Sequence, residues 1–127
     1  MNARAGAIAH LDFCYLTTIG RRSGIERTIE IWFALEGNTV YMLSGGGDRS
    51  DWVKNVQQNP AVKVRLGSSS RRGKARTVDE PSEEARARRL LAAKYQGWRE
   101  GRPLSSWARN SLPVAVDLEP REHRAGR

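Results

Sequence analysis

The stretch LTTIGRRSGIERTIEIWF, Leu16 to Phe33, decides the fold, because it sets two β-rich runs on either side of a turn carrying two glycines. Before the turn, residues 13–18 (FCYLTT) are rich in aromatic and β-branched side chains and predict a strand that stops at Gly20. After it, residues 28–35 (TIEIWFAL) predict a second strand. Gly20 and Gly24 let the backbone of so short a connection take positive φ and come close to a ligand. Arg21, Arg22 and Arg27 add forked donors that match phosphate or carboxylate, and Ser23 adds a hydroxyl. An ordinary hairpin loop with solvated arginines has the same composition. Spacing does not separate the two, since the loop is neither a P-loop nor a dinucleotide fingerprint.

Outward from this hairpin, Glu36-Gly37-Asn38 forms a tight turn into a strand at 39–44 (TVYMLS). Residues 61–66 (AVKVRL) alternate with period two, which turns Val62, Val64 and Leu66 to one side. A weaker strand at 73–78 follows a polar loop at 67–72, and residues 113–118 (PVAVDL) close the set of six. A short helix capped by Asp48 or Ser50 is expected, with Trp52, Val53 and Val56 on its inner face. It ends at Asn59-Pro60, because proline excludes the helical conformation for the residue before it. A second helix is expected to start at Pro81-Ser82, with Glu83 and Glu84 complementing its dipole. Ala87, Leu90, Leu91, Tyr95 and Trp98 fall on its apolar stripe, and Arg86, Arg88 and Arg89 read as a solvated face. The order β-β-β-α-β-β-α-β predicts an α+β, mainly β chain: a small antiparallel barrel closed by helices rather than a βαβ nucleotide fold. One domain is expected over 1–118, with a disordered basic tail over 119–127.

Composition narrows the function classes. A chain of 127 residues with 39% hydrophobic and 28% charged residues supports a modest core. Its net charge of +8 favours polyanions: nucleic acid, anionic lipid or a phosphorylated, carboxylate-rich small molecule. Cys14 is the single cysteine, which leaves no intrachain disulfide, and its apolar neighbours make it a small core residue. The sequence contains no apolar run long enough for a signal peptide or membrane span, so a cytoplasmic protein is expected.

A second glycine cluster, Ser44-Gly45-Gly46-Gly47-Asp48, runs from a strand end towards the short helix. It reads either as an anion cradle helped by Arg49 or as a flexible loop. Trp52 and Asn55 fall at i and i+3 of that helix, where Trp52 lies against a flat ring or fills core. Glu30 is either buried in its strand or turned outward. Ser44 has no histidine and carboxylate partners for a hydrolase triad, and His10 and His123 do not make a metal pair, so no metal site is expected.

Together, LTTIGRRSGIERTIEIWF, YMLSGGG and DWVKNVQQNPAVKVRLG resemble the deazaflavin-dependent nitroreductase family, with its opening Leu-Thr-Thr-x-Gly-Arg-[Lys/Arg]-[Ser/Thr]-Gly-x-x-Arg and its Trp-x-x-Asn-[Leu/Val]-x-x-[Asn/Asp]-Pro-x-Val block. The resemblance implies a split β-barrel of the flavin-reductase type, with about six mostly antiparallel strands and two helices, usually dimeric. It also implies coenzyme F-420, an 8-hydroxy-5-deazaflavin with an anionic phosphate and glutamate tail; FMN is the alternative within the same fold. Carried over by position, Arg21, Arg22, Ser23 and Arg27 match the tail and phosphate contacts. Thr28, Ile29, Glu30, Ile31 and Trp32 match the strand along the cofactor. Met42, Leu43, Ser44 and Gly45 match the strand end beside the deazaflavin ring, and Asp51, Trp52 and Asn55 the helix start over the phosphate.

Two departures from the family pattern stand out. Gly45 occupies the place of a lysine common in relatives, with Arg49 a possible substitute, and the tyrosines expected before the last strand are replaced by Tyr95, Trp98 and Trp107. The implied activity is hydride transfer from reduced F-420 to an electron-poor small molecule such as a quinone, a nitro compound or an enone. Tyr95, Ser44 or water would deliver the proton, and Trp98 and Trp107 would contact the acceptor. Competing readings from another class are a non-catalytic deazaflavin carrier and a basic nucleic-acid-binding module. No zinc motif, recognition helix or RNA-recognition sequence supports the last, so no specific nucleic acid is expected.

Overall fold

The computed structural model describes residues 8–120, and the basic stretch beyond them, with His123, lies outside. Seven strands form one antiparallel sheet in the order β2-β1-β5-β6-β7-β4-β3. They are β1 (Cys14–Ile19), β2 (Glu26–Ile31), β3 (Ala34–Glu36), β4 (Thr39–Ser44), β5 (Ala61–Leu66), β6 (Ser69–Thr77) and β7 (Leu112–Leu118). The helices are α1 (Asp51–Gln58), α2 (Pro81–Gln96) and α3 (Ser106–Asn110), with a single 3-10 turn at Gly47–Arg49 before α1. β2 and β3 stand at opposite edges of the sheet, yet Trp32 and Phe33 are all that separates them in the chain. The sheet therefore curls until one continuous stretch bridges its edges, which makes a split barrel.

Strand alternation fills the barrel. Cys14, Leu16 and Thr18 turn inward from β1, in register with Ile31, Ile29 and Arg27 of β2. Val62, Val64 and Leu66 do the same from β5, as the period-two pattern predicts. With Phe33, Val40, Met42, Val114 and Val116 they form the inner core, which Val53 and Val56 of α1 close at one end. A second core lies outside the sheet, where Ala87 and Leu91 of α2 cover Tyr41, Leu43 and Ala115. Each fully buried Leu or Val here contributes about 1.5–3 kcal/mol. Polar contacts fix how α2 sits: the Tyr41 hydroxyl donates to Glu83 Oε2 at 2.7 Å, and Arg76 bridges Glu83 and Asp117.

Four expectations need correction. The strand expected over 28–35 breaks at Trp32-Phe33, where the chain changes sheet edge: Trp32 stays 45% exposed while Phe33 turns fully into the core. The polar segment at 69–72 is strand rather than loop, because β6 pairs with β5 from Ser69 onward and its charged side chains face solvent. α3 was not expected, since five residues give no readable periodicity. Arg88 is not a solvated arginine: it donates to the carbonyls of Ala108 and Ser111 and pairs with Glu84, tying α2 to α3. At the other end of the chain, the Glu119 N–H donates to the Arg72 carbonyl, so this residue of the expected tail is attached to the barrel.

Candidate functional site

The turn between β1 and β2 is built by its own hydrogen bonds. The Gly20 N–H donates to the Ile25 carbonyl at 2.8 Å and the Gly24 N–H to the Gly20 carbonyl at 2.8 Å. Ser23 Oγ accepts from the Ile25 N–H at 3.1 Å. Gly24 has φ 72°, a conformation that favours glycine, whereas Gly20 does not take the positive φ expected of it; a Cβ there would stand 2.7 Å from Ser23 Oγ and displace that side chain. Asn55, buried on α1, then docks the turn. Its Oδ1 accepts from the Arg21 N–H at 3.2 Å and from Arg21 Nη1 at 2.9 Å, while its Nδ2 donates to Thr18 Oγ1 at 3.1 Å. Arg21 also pairs with Asp51 at 3.2 Å, which leaves its guanidinium bridging loop and helix.

Beside this turn lies an open groove of about 780 Å³. Arg21, Arg22, Ser23, Arg27, Thr28 and Ile29 line it from the hairpin, and Asp51, Trp52 and Asn55 from α1. These are nine of the sequence-predicted residues, brought together in one place. Arg22 and Arg27 are exposed and make no ion pair among the described residues, whereas the nearby Glu26 is neutralised by Lys63 at 3.1 Å. Thr18, which also lines the groove, was missed; its inward position in β1 was the available signal.

A smaller cavity of about 260 Å³ opens along the same strand, lined by Phe13, Glu30, Ile31, Trp32, Leu43 and Trp107. Trp32 is held flat against Tyr95, with ring centroids 4.3 Å apart and planes 2° from parallel, and meets Trp107 edge to face at 5.4 Å. Phe13 was missed as a wall of this cavity, although its exposed aromatic ring before β1 was a signal. Trp98 is not here. It lies past the end of α2 beside Arg89, Arg102 and Leu104, with its Nε1 donating to the Arg102 carbonyl.

The remaining predicted residues sit around these two cavities. Met42 and Ser44 are buried residues of β4, and Ser44 Oγ is shared with the Gly47 carbonyl and Ser50 Oγ, both at 2.8 Å. Gly45 and the glycines after it line neither cavity. The Tyr95 hydroxyl accepts from the Phe33 N–H at 3.0 Å and faces the carbonyls of Asp12 and Phe33 at 2.8 and 3.0 Å. Lys94 donates to the same Phe33 carbonyl at 3.0 Å and lies 3.7 Å over the Phe33 ring; burial lowers its pKa. Burial pushes the Cys14 thiol up to about 12, consistent with a core residue. No cluster of three metal-ligating side chains occurs among the described residues.

A curled antiparallel barrel with an arginine-lined groove beside an aromatic cavity defines a split-barrel protein equipped for an anionic, planar cofactor. A model of the F420H2-dependent quinone reductase family matches residues 2–119, and the chain belongs to that family. It is a deazaflavin-dependent oxidoreductase, and coenzyme F-420 is its cofactor. Solved structures share the fold. A candidate 5-nitroimidazole antibiotic resistance protein from Bacteroides thetaiotaomicron is 18% identical, covering 94% of this chain and 81% of that one, with a TM-score of 0.72. An F-420-H2-dependent reductase is 24% identical over 83% of this chain and 93% of its own, with a TM-score of 0.63. A domain-swapped dimer is 24% identical over 85% and 80%, with a TM-score of 0.64. The lining fits a group of this charge: Arg22 and Arg27 stand in the groove without an ion pair among the described residues, and a guanidinium matches phosphate and carboxylate.

Proposed function

We propose that this enzyme passes a hydride from reduced F-420 to an electron-poor acceptor held in the aromatic cavity: a quinone, an activated nitro compound or an enone. The observation that carries the reading is the placement of both cavities along β2, the arginine groove at its Glu26 end and the tryptophan-lined cavity at its Ile31 end. Arg22, Arg27 and Ser23 bind the anionic tail, and Arg21 completes the groove while Asn55 and Asp51 hold it in place. Thr28 to Trp32 run along the cofactor, with Trp52 closing the groove from α1. Met42 and Ser44 support this wall from behind, and Leu43 faces the acceptor.

When bound, F-420 supplies a hydride, which with one proton converts a quinone to a hydroquinone and leaves the cofactor oxidised. The protein's part is to hold the two reactants together and to keep one ring from sliding on the other. Tyr95 and Ser44 are positioning residues in this account, because both hydroxyls are engaged by neighbouring protein groups. Water entering the open acceptor cavity delivers the proton. Trp107 contacts the acceptor; Trp98, at a separate place on the surface, does not.

The enzyme is further read as a cytoplasmic homodimer. Ile25, which leads into the edge strand β2, is an exposed large hydrophobic residue outside the acceptor cavity, and an open apolar edge of this kind favours cover by a second subunit. The buried free thiol of Cys14 suits a reducing compartment. No helix among the described residues is long and apolar enough to cross a membrane.

Anaerobic assay of reduced F-420 with a naphthoquinone, a nitroimidazole and a cyclohexenone tests the activity. Oxidation of F-420 stoichiometric with reduction of at least one acceptor is expected. Binding of F-420 without turnover of any of the three would contradict hydride transfer to this acceptor class.

A further inference from the structure

The two ends of β2 differ in charge. At one end, the arginine groove gathers Arg21, Arg22 and Arg27, and its two carboxylates are both paired, Glu26 with Lys63 and Asp51 with Arg21. At the other, five of the six residues lining the acceptor cavity are uncharged and the sixth is Glu30. Glu30 lies opposite Tyr15 in the β1–β2 ladder, and its Oε1 accepts from the Tyr15 hydroxyl at 3.3 Å. It makes no ion pair among the described residues, in a protein whose net charge is +8. A carboxylate without an ion pair thus stands beside the rings of Trp32, Trp107 and Phe13, the one charged group among the residues lining this cavity.

We propose that Glu30 sets the charge class of the electron acceptor: neutral or cationic planar rings are accepted, and rings bearing a carboxylate or sulfonate near the reacting carbonyl are disfavoured. The inference rests on the reading of this cavity as the acceptor site. Its physical basis is Coulombic. A unit charge about 4–6 Å from a second one, at the water-like effective dielectric constant of an open cavity, changes binding by about three- to tenfold. The Tyr15 hydroxyl orients the carboxylate and carries no charge of its own; Arg65, over the Tyr15 ring at 4.2 Å, donates to the Gly67 carbonyl and makes no ion pair with Glu30. The same strand thereby separates two ligands of opposite preference, drawing the anionic cofactor tail to one end and keeping anionic molecules from the other.

The test compares 2-methyl-1,4-naphthoquinone with 1,4-naphthoquinone-2-sulfonate as acceptors, each assayed with reduced F-420 at low ionic strength. The quantity read is the ratio of kcat/KM for the sulfonate to that for the neutral quinone within each enzyme, so that any general change in activity cancels. Glu30→Gln is expected to raise this ratio about three- to tenfold and Glu30→Lys to raise it further. Glu30→Asp should stay near the wild-type ratio, and the differences should shrink as salt is added. A ratio that is the same in wild type, Glu30→Gln and Glu30→Lys would overturn the inference while leaving hydride transfer intact. Failure of the wild type to turn over either quinone would overturn the acceptor reading and this inference with it.

Discussion

The indole of Trp32 and the phenol ring of Tyr95 lie face to face, their centroids 4.3 Å apart and their planes 2° from parallel. This stack stands where the chain leaves β2 for β3, and the Tyr95 hydroxyl takes up the Phe33 N–H at the same point. A tryptophan that walls the aromatic cavity is therefore fixed by the last turn of α2. Tyr95→Phe keeps the ring but leaves the Phe33 N–H without its partner, at a cost of about 1–3 kcal/mol in stability. Thermal melting should report that loss while kcat stays within a few-fold of wild type. A drop of about 10²–10⁴ in kcat would instead assign the hydroxyl to proton transfer.

Asn55 links three segments through one buried side chain: Arg21 in the turn, Thr18 in β1 and its own helix. Asn55→Ala should destabilise the protein by about 1–3 kcal/mol, because it strands buried polar groups. It should also weaken F-420 binding, by about tenfold, since the turn loses its anchor and the arginines their fixed positions. Calorimetry together with a fluorescence titration separates the two effects. Unchanged affinity in a folded Asn55→Ala protein would mean that the turn holds its shape without α1.

Much of this arrangement is legible in the sequence, and the failures have physical causes. β4 and β5 run over the predicted residues because alternation and a Gly-Asn turn are local signals. The break at Trp32-Phe33 is not local: both residues continue a β-forming run, and only closure of the barrel divides it between two edges. Arg88 reads as a surface charge because its carbonyl partners lie 20 and 23 residues away. The arginine turn and the Trp52/Asn55 block belong to one groove, as their chemistry suggests. The second glycine loop lacked a comparable signal. Its tight turn serves the internal bonding of Ser44 with Gly47 and Ser50, which composition cannot distinguish from an anion cradle. Trp98 and Trp107 were indistinguishable by residue type, and α3 places just one of them at Trp32.

Acid stability should depend on the Arg76–Glu83 contact. The Arg76 guanidinium and the Tyr41 hydroxyl lower Glu83 from 4.5 to about 2, and Arg76 also lowers Asp117. Between these values the unfolded chain binds protons that the folded chain does not, so the contribution is fully present above 4.5 and is lost as pH falls towards 2. Urea midpoints measured from pH 6 to pH 2 should fall across that window. In Glu83→Gln the fall should be shallower, starting from a lower stability at pH 6. Parallel curves for the two proteins would show that the ion pair contributes nothing to acid sensitivity.

Cys14 should be inert in the native state. It is fully buried, and its thiol is pushed up to about 12, so the reactive thiolate is scarce at neutral pH. Labelling with a thiol-reactive dye at pH 8 should proceed at the rate of opening of the barrel and accelerate with urea as the protein unfolds. Prompt stoichiometric labelling without denaturant would place Cys14 at an accessible surface.

Arg22 and Arg27, exposed in the groove and in no ion pair among the described residues, are proposed to hold the anionic tail of F-420. Titration of F-420, followed by its fluorescence, into wild type and an Arg22→Ala, Arg27→Ala double variant tests it directly. The double variant should bind at least about tenfold more weakly and with a flatter dependence on salt. The same deazaflavin without phosphate and glutamates should bind both proteins alike. Equal affinity of the two proteins for intact F-420 would contradict the account.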